Sequence, residues 1–185
     1  MNARDTLIAE LREHALVLGE VTLTSGATAS YYVDAKRAIL RQPGFRAVAE
    51  LVAREANTRG AQAIGGMTMG ADPIASAALS DRAGQNMLAF FVRKEKKQHG
   101  LQRWVEGPLL EPGTKVLIVE DVVTTGGSTV QAIERCLEEG LEIVGTVSVL
   151  DRLAGGGEKI VEASGGAPYV PLATIDDVHP DRDDR

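Results

Sequence analysis

The sequence predicts an α/β domain built on a mostly parallel sheet with helices on both faces. Short runs of continuous apolar character, MLAFFV and KVLIVED among them, read as strands buried on both faces. Stretches of helical periodicity lie between such runs, so strand and helix alternate along the chain. At 185 residues the chain fits a single domain (1–185) that needs no disulfide or structural metal to be stable.

Each element follows from its local pattern. Leu7, Ile8, Leu11, Ala15 and Leu18 fall at helical spacing over residues 5–18, and Gly19 is read as the stop. VTLTSG and SYYVDA read as two short strands joined by a turn at Ser25-Gly26. Residues 1–35 are thereby expected to contribute a small hood over the strand ends. Pro43 opens a helix carrying Phe45, Val48, Leu51 and Val52, and Gly60 closes it. AQAIGGMTMGADP reads as a short strand and a glycine-rich loop, and Pro73 starts the helix PIASAALSDRAG. After the strand MLAFFV, residues 93–113 show no periodicity and read as a long loop. KVLIVED is a strand, STVQAIERCLEEG a helix, LEIVGTVSVLD a strand, GEKIVEASGG a short helix and APYVPLATID a last strand. Residues 176–185 read as a frayed polar tail.

Composition narrows the function classes. A net charge of −6 disfavours general nucleic-acid affinity, which rests on neutralising phosphates with Lys and Arg. Cys136 is the single cysteine, so an intrachain disulfide and a cysteine zinc site are both excluded. No segment approaches the roughly 20 apolar residues of a membrane span, and the N-terminus lacks the apolar core of a secretory signal. A cytoplasmic protein without membrane contact is the expectation.

In parallel α/β sheets ligands bind at the carboxyl ends of the strands. Three polar stretches leave such ends, after Ile64, Val92 and Glu120. Thr124, Thr125, Gly126, Gly127 and Ser128 lie between a strand and a helix. Glycine lets a backbone approach a ligand closely, and the free N–H groups of a helix start attract an anion. Neither GxxxxGK[ST] nor GxGxxG is present, so a nucleoside-triphosphatase or dinucleotide site fits poorly. By itself TTGGST is equally a plain loop with a Ser cap. Glu120 and Asp121, just upstream, change the balance: carboxylates accept hydrogen bonds from a sugar diol and bind Mg²⁺. An acid pair before an anion cradle describes a phosphorylated sugar.

VLIVEDVVTTGGST resembles the phosphoribosyl pyrophosphate (PRPP) motif of the type I phosphoribosyltransferases. The resemblance implies a Rossmann-like core with an N-terminal hood. It also implies that Glu120 and Asp121 contact the ribose hydroxyls, while Val122, Val123 and residues 124–128 wrap the 5-phosphate. RKEKKQHG, as a charge run, is an ordinary solvated face. Its pattern nonetheless resembles the mobile loop of the orotate phosphoribosyltransferases, which commonly reaches the neighbouring subunit of a dimer. That similarity implies a homodimer sharing residues 93–103, with Arg93, Lys94, Lys97 and His99 holding pyrophosphate. GEVTLTSGATASYYVD is similar to the family's N-terminal segment and implies that Tyr31 and Tyr32 line the orotate pocket. SVLDR is similar to the family's carboxylate-binding site and implies that Arg152 pairs with orotate, with Thr124 on the pyrimidine edge. Arg152 alone would be read as a surface ion pair with Asp151, and the tyrosines as strand packing.

The implied activity is transfer of ribose 5-phosphate from PRPP to orotate, with Lys97, Arg93, His99 and Asp121 as the catalytic candidates. Mg²⁺ would be carried mainly by PRPP, with Asp121 a candidate contact through water. Some family members carry lysines where Thr24 and Gly70 stand. Backbone N–H groups from Met67, Thr68, Met69, Gly70 and Ala71 are the candidates for pyrophosphate there, and Lys36, Arg37 or Mg²⁺ for the missing charge. Two alternatives stay open: a related transferase using a purine or other base, and a nucleotide-sensing, RNA-binding regulator on the same fold.

Overall fold

A computed structural model describes residues 2–22, 28–95 and 103–183. The chain opens with α1 (Ala3–Glu10), capped by the Asn2 side chain, which accepts from the Asp5 N–H at 2.8 Å. A π-helical turn, Leu11–Ala15, leads into the antiparallel hairpin β1 (Leu16–Thr22) and β2 (Thr28–Val33). Next come α2 (Lys36–Ile39), α3 (Gln42–Thr58), β3 (Ala63–Met67) and α4 (Asp72–Ala78). The second half comprises β4 (Leu88–Val92), β5 (Val105–Glu106), β6 (Lys115–Val123), α5 (Gly127–Glu138) and β7 (Glu142–Asp151). It closes with α6 (Gly156–Ala163), β8 (Tyr169–Thr174) and α7 (Ile175–Val178).

The main sheet has the order β5-β4-β3-β6-β7-β8, with five parallel strands and β5 antiparallel at one edge. The reason for this arrangement is visible in β6, where successive side chains alternate between two apolar faces. Leu117 and Val119 join the core formed with α1, α3 and α4; Val116 and Ile118 join the core formed with α5 and α6. A strand apolar on both faces has to lie centrally under helices on both sides. From β3 the chain moves outward to β4 in one direction, while β6, β7 and β8 build the sheet in the other. The loops after β3 and β6 therefore diverge, leaving a crevice at the strand ends.

Four local expectations need correction. The first helix ends at Ala15, and Leu18 lies on β1 with 66 % of its surface exposed. Gly19 is no helix stop; at φ +127° it sits in the register shift between Leu18 and Val21 of the hairpin. The supposed long loop contains β5, paired with Phe91 and Val92. Residues 176–178 are helical rather than frayed. Thr174 and Asp177 form a reciprocal capping box at the start of α7, and Ile175 and Val178 are buried.

Asp177 also ties the two ends of the chain together. Its carboxylate accepts from Arg4 at 2.9 Å, while its main-chain oxygen accepts from Arg12 at 2.7 Å. Partial burial works to raise the pKa of Asp177, but the Thr174 bonds and the Arg4 charge outweigh it and lower the pKa. A carboxyl with a lowered folded pKa stabilises the fold above its unfolded pKa, and the benefit fades as pH falls through the folded value. Asp177→Ala is therefore expected to cost about 1 kcal/mol at neutral pH in urea unfolding. The cost should shrink in acid. No loss at neutral pH would mean that α7 does not hold the terminus.

Candidate active site

The crevice between the ends of β3 and β6 contains two adjoining pockets. One, of about 260 Å³, is lined by Lys36, the 67–70 loop, Lys94, Glu120, Asp121 and Ser128. The other, of about 250 Å³, is lined by Tyr32, Val33, Lys36, Asp121, Val122, Thr124 and Arg152. Lys36 and Asp121 belong to both and form the wall between them.

Glu120 and Asp121 are nearly buried, at 4 % and 9 % exposure, because β6 runs two residues beyond them. Glu120 Oε2 accepts from the hydroxyls of Ser128 (2.8 Å) and Thr129 (3.1 Å), and its Oε1 accepts from the Asp121 N–H. Burial above all, and then the bond to Asp121 and its charge, push the Glu120 pKa up to about 7 against the pull of the two hydroxyls. Asp121 turns the other way. Its Oδ2 accepts from Lys36 Nζ at 2.7 Å, and Lys36 also pairs with Asp34 at 3.1 Å. Burial works to lower the Lys36 pKa, but the bonds and charges of Asp121 and Asp34 outweigh it and raise the pKa.

The loops around the acids are shaped to approach them. A Cβ on Gly70 would lie 2.5 Å from Asp121 Oδ1, so any other residue here requires the Asp121 side chain or the loop to shift. Gly126 enters α5 at φ +78°, a left-handed turn that exposes the N–H groups of the helix start beside the acid pair. On the far wall, Arg152 Nε is buried without a hydrogen-bond partner, and its guanidinium lies 5.0 Å from the centre of the Tyr31 ring. The Asp151 carboxylate is engaged by the Leu153 N–H (2.7 Å) and the Tyr169 hydroxyl (2.9 Å).

The comparisons with known proteins agree with this geometry. The phosphoribosyl transferase domain family matches residues 37–166. An orotate phosphoribosyltransferase of Corynebacterium glutamicum strain R is 43 % identical over 96 % of this chain and 95 % of its own. The chain belongs to the orotate phosphoribosyltransferases. Among solved structures, the Mycobacterium tuberculosis orotate phosphoribosyltransferase in complex with Fe(III) dicitrate superposes at a TM-score of 0.85. It is 38 % identical over 96 % of this chain and 99 % of that one. The same protein in complex with PRPP is 33 % identical over 95 % and 98 % of the two chains, with a TM-score of 0.79.

Within this family member most of the residues singled out from sequence come together, with several adjustments. Thr124, Arg152 and Tyr32 share one pocket. Tyr31 does not line it; only 2 % exposed, it lies beneath Arg152 with its ring edge-on to His179. Lys94 reaches the acid pocket, whereas Arg93 faces a neighbouring 430 Å³ cavity and pairs with Glu106 at 3.3 Å. Val123 is buried in the core and offers the site only main chain, its carbonyl accepting from the Arg152 N–H. Of the backbone donors expected from 67–71, Thr68 N–H is bonded to Val92 O and Ala71 N–H to Met67 O. Met67, the last residue of β3, and Met69 and Gly70 are left as the candidates. Cys136 is buried in the core, and burial pushes its thiol up to about 12, as suits an unreactive side chain. Lys97, His99 and Thr24 lie outside the described residues. Lys36, named from sequence as one candidate for the missing charge, lines both pockets, a bridging position that the sequence pattern did not give.

A carboxyl whose folded pKa is raised stabilises the fold below its unfolded value, and this is lost as pH rises through the folded value. For Glu120 the window runs from 4.5 to about 7. Glu120→Gln is thus expected to gain stability over the parent as pH rises through that window, read by denaturant unfolding across it. A stability difference independent of pH would show that ionising Glu120 costs the fold nothing.

Proposed function

We propose that the two pockets hold the two halves of one transfer reaction. Ribose 5-phosphate moves from PRPP to N1 of orotate, giving orotidine 5′-monophosphate and pyrophosphate, a step of pyrimidine nucleotide synthesis. The observation that carries the assignment of sides is Arg152, a half-buried arginine with a buried, unpartnered Nε–H, across the Lys36–Asp121 wall from Glu120. A planar guanidinium matches a planar carboxylate, two parallel donors meeting two oxygens. Orotate carries such a carboxylate; purine bases do not.

In the reaction the bond from ribose C1 to a pyrophosphate oxygen breaks and the oxygen keeps the electron pair. C1 then bonds to N1 of orotate, whose proton is released. C1 gains positive charge on the way, so positioning and fixed electrostatics supply most of the rate. Asp121 offers its carboxylate to the ribose hydroxyls, and Thr124 to Ser128 hold the 5-phosphate. Glu120 keeps Oε2 on the Ser128 and Thr129 hydroxyls and has Oε1, which accepts from the Asp121 N–H, to offer a further acceptor site to the diol. Lys94 and Lys36 supply positive charge beside the 67–70 loop, with Arg93, Lys97 and His99 on the loop that closes over pyrophosphate, shared across a dimer.

Among the described residues no three His, Cys, Asp or Glu side chains cluster as a metal site. Mg²⁺ would be brought in on PRPP, since the ion keeps several waters and takes few protein ligands at substrate phosphates. Asp121 is the residue to touch it, through water. When bound, the ion neutralises charge on the departing pyrophosphate. No helix among the described residues is long and apolar enough to cross a membrane.

Mixing the protein with PRPP, Mg²⁺ and orotate should deplete orotate absorbance, while adenine or hypoxanthine in its place should remain unconsumed. Arg152→Ala is expected to raise KM for orotate about 10-fold or more, the loss of a charged hydrogen bond. Consumption of a purine, or an unchanged orotate KM in the variant, would sink the orotate assignment.

A further inference from the structure

Arg135 lies on the second half of α5, outside both pockets, yet its guanidinium gathers three separate strand ends. Nη1 donates to the main-chain oxygen of Arg93 at 2.7 Å and Nη2 to that of Lys94 at 3.0 Å. Nη1 also lies 3.4 Å from the sulfur of Met67, where β3 enters the 67–70 loop. The guanidinium carbon sits 4.2 Å from the centre of the Trp104 ring. Trp104 is bound to the same helix end, its N–H donating to Glu139 and its indole Nε1 to Glu138, both at 2.8 Å. The Arg93 N–H donates to Trp104 O at 3.0 Å, closing the two stems on each other. Residues 93 and 104 therefore leave and rejoin the fold at one point, and that point is fastened to the helix whose first turn is the phosphate cradle.

We propose that Arg135 is a positioning residue for the transfer reaction. It sets both stems of the 93–103 segment in register with the 67–70 loop and the α5 N-terminus. The proposal rests on the transfer reading above, because that reading gives the segment its role. Chemistry supports arginine in this place. A planar fork bridges two adjacent carbonyls while its face stacks on an indole, whereas lysine offers one compact charge and no plane. The partners are main-chain oxygens and a ring, so the contact fixes chain direction without competing for the phosphates that the loop side chains would bind.

The chain's single tryptophan, Trp104, gives a readout independent of turnover. Arg135→Gln and Arg135→Lys should be compared with the parent in three measurements: PRPP affinity by calorimetry with Mg²⁺, the kinetic constants for each substrate, and Trp104 emission. For Arg135→Gln, PRPP affinity and kcat/KM for PRPP should fall about 10- to 100-fold, the scale of a displaced positioning group. KM for orotate should hold, and Trp104 emission should shift. Arg135→Lys should recover part of the loss, and it decides the matter if the Gln variant does not fold. The proposal is overturned if PRPP binding and kcat/KM match the parent despite the altered emission, or if PRPP and orotate constants decline together. A parent that fails to consume orotate would sink the transfer reading instead, leaving the calorimetry and emission to judge the stems.

Discussion

Two carboxylates side by side at the end of a buried strand constrain what can surround them. Leaving both charged and unpaired in a nearly dry crevice would be costly. The fold resolves this by turning them apart. Glu120 faces the α5 start, where two hydroxyls hold it and its pKa is driven up to about 7. Asp121 faces α2, where Lys36 meets it at 2.7 Å. Each neighbouring element is placed by this division. At Gly70 the loop comes so close that a Cβ would press on Asp121 Oδ1, and Lys36 reaches in from α2 to balance the charge.

In the proposed reading the same arrangement lets one short peptide serve two substrates. On one side of the Lys36–Asp121 wall lie the 67–70 loop and Ser128; on the other lie Thr124, Tyr32 and Arg152. A sugar lying across the wall would present its phosphate to the loop after β6 and its C1 to the base pocket. Arg152, which the proposed reading pairs with orotate, is backed by two contacts. Tyr31 packs under its guanidinium, and Asp151 is pinned by Tyr169, which in turn is within 2.7 Å of the Ser148 hydroxyl. The Arg152 N–H donates to Val123 O at 2.8 Å, which fixes the main chain from which its side chain projects.

Much of this was legible in the sequence because its signals are periodic. Strands apolar on both faces and helices opened by Pro43 and Pro73 needed only local pattern. The acid pair and the glycines after it marked the crevice, and the resemblance of RKEKKQHG and SVLDR to the orotate enzymes marked the base. What escaped was what periodicity cannot carry. Four-residue α2 and two-residue β5 each span about one hydrophobic period and cannot repeat it, so Lys36 had no helix to be read on. The helix of 176–178 is held by Arg4 and Arg12 from the far end of the chain, and no local window sees such a contact. Tyr31 and Tyr32 alternate in sequence as strand residues do; which one faces the pocket depends on the register of the hairpin. Arg135 looked like an ordinary polar helix position until β3, β4 and Trp104 met over it.

The central claim is that one nucleotide spans both pockets, with its pyrimidine carboxylate on Arg152 and its phosphate at Thr124 to Ser128. A crystal structure of the protein with orotidine 5′-monophosphate tests it most directly. The expected result is a paired contact between the Arg152 guanidinium and the carboxylate, with the ribose hydroxyls over Asp121. A nucleotide bound with its carboxylate away from Arg152, or with its phosphate outside the loop after β6, would contradict the account.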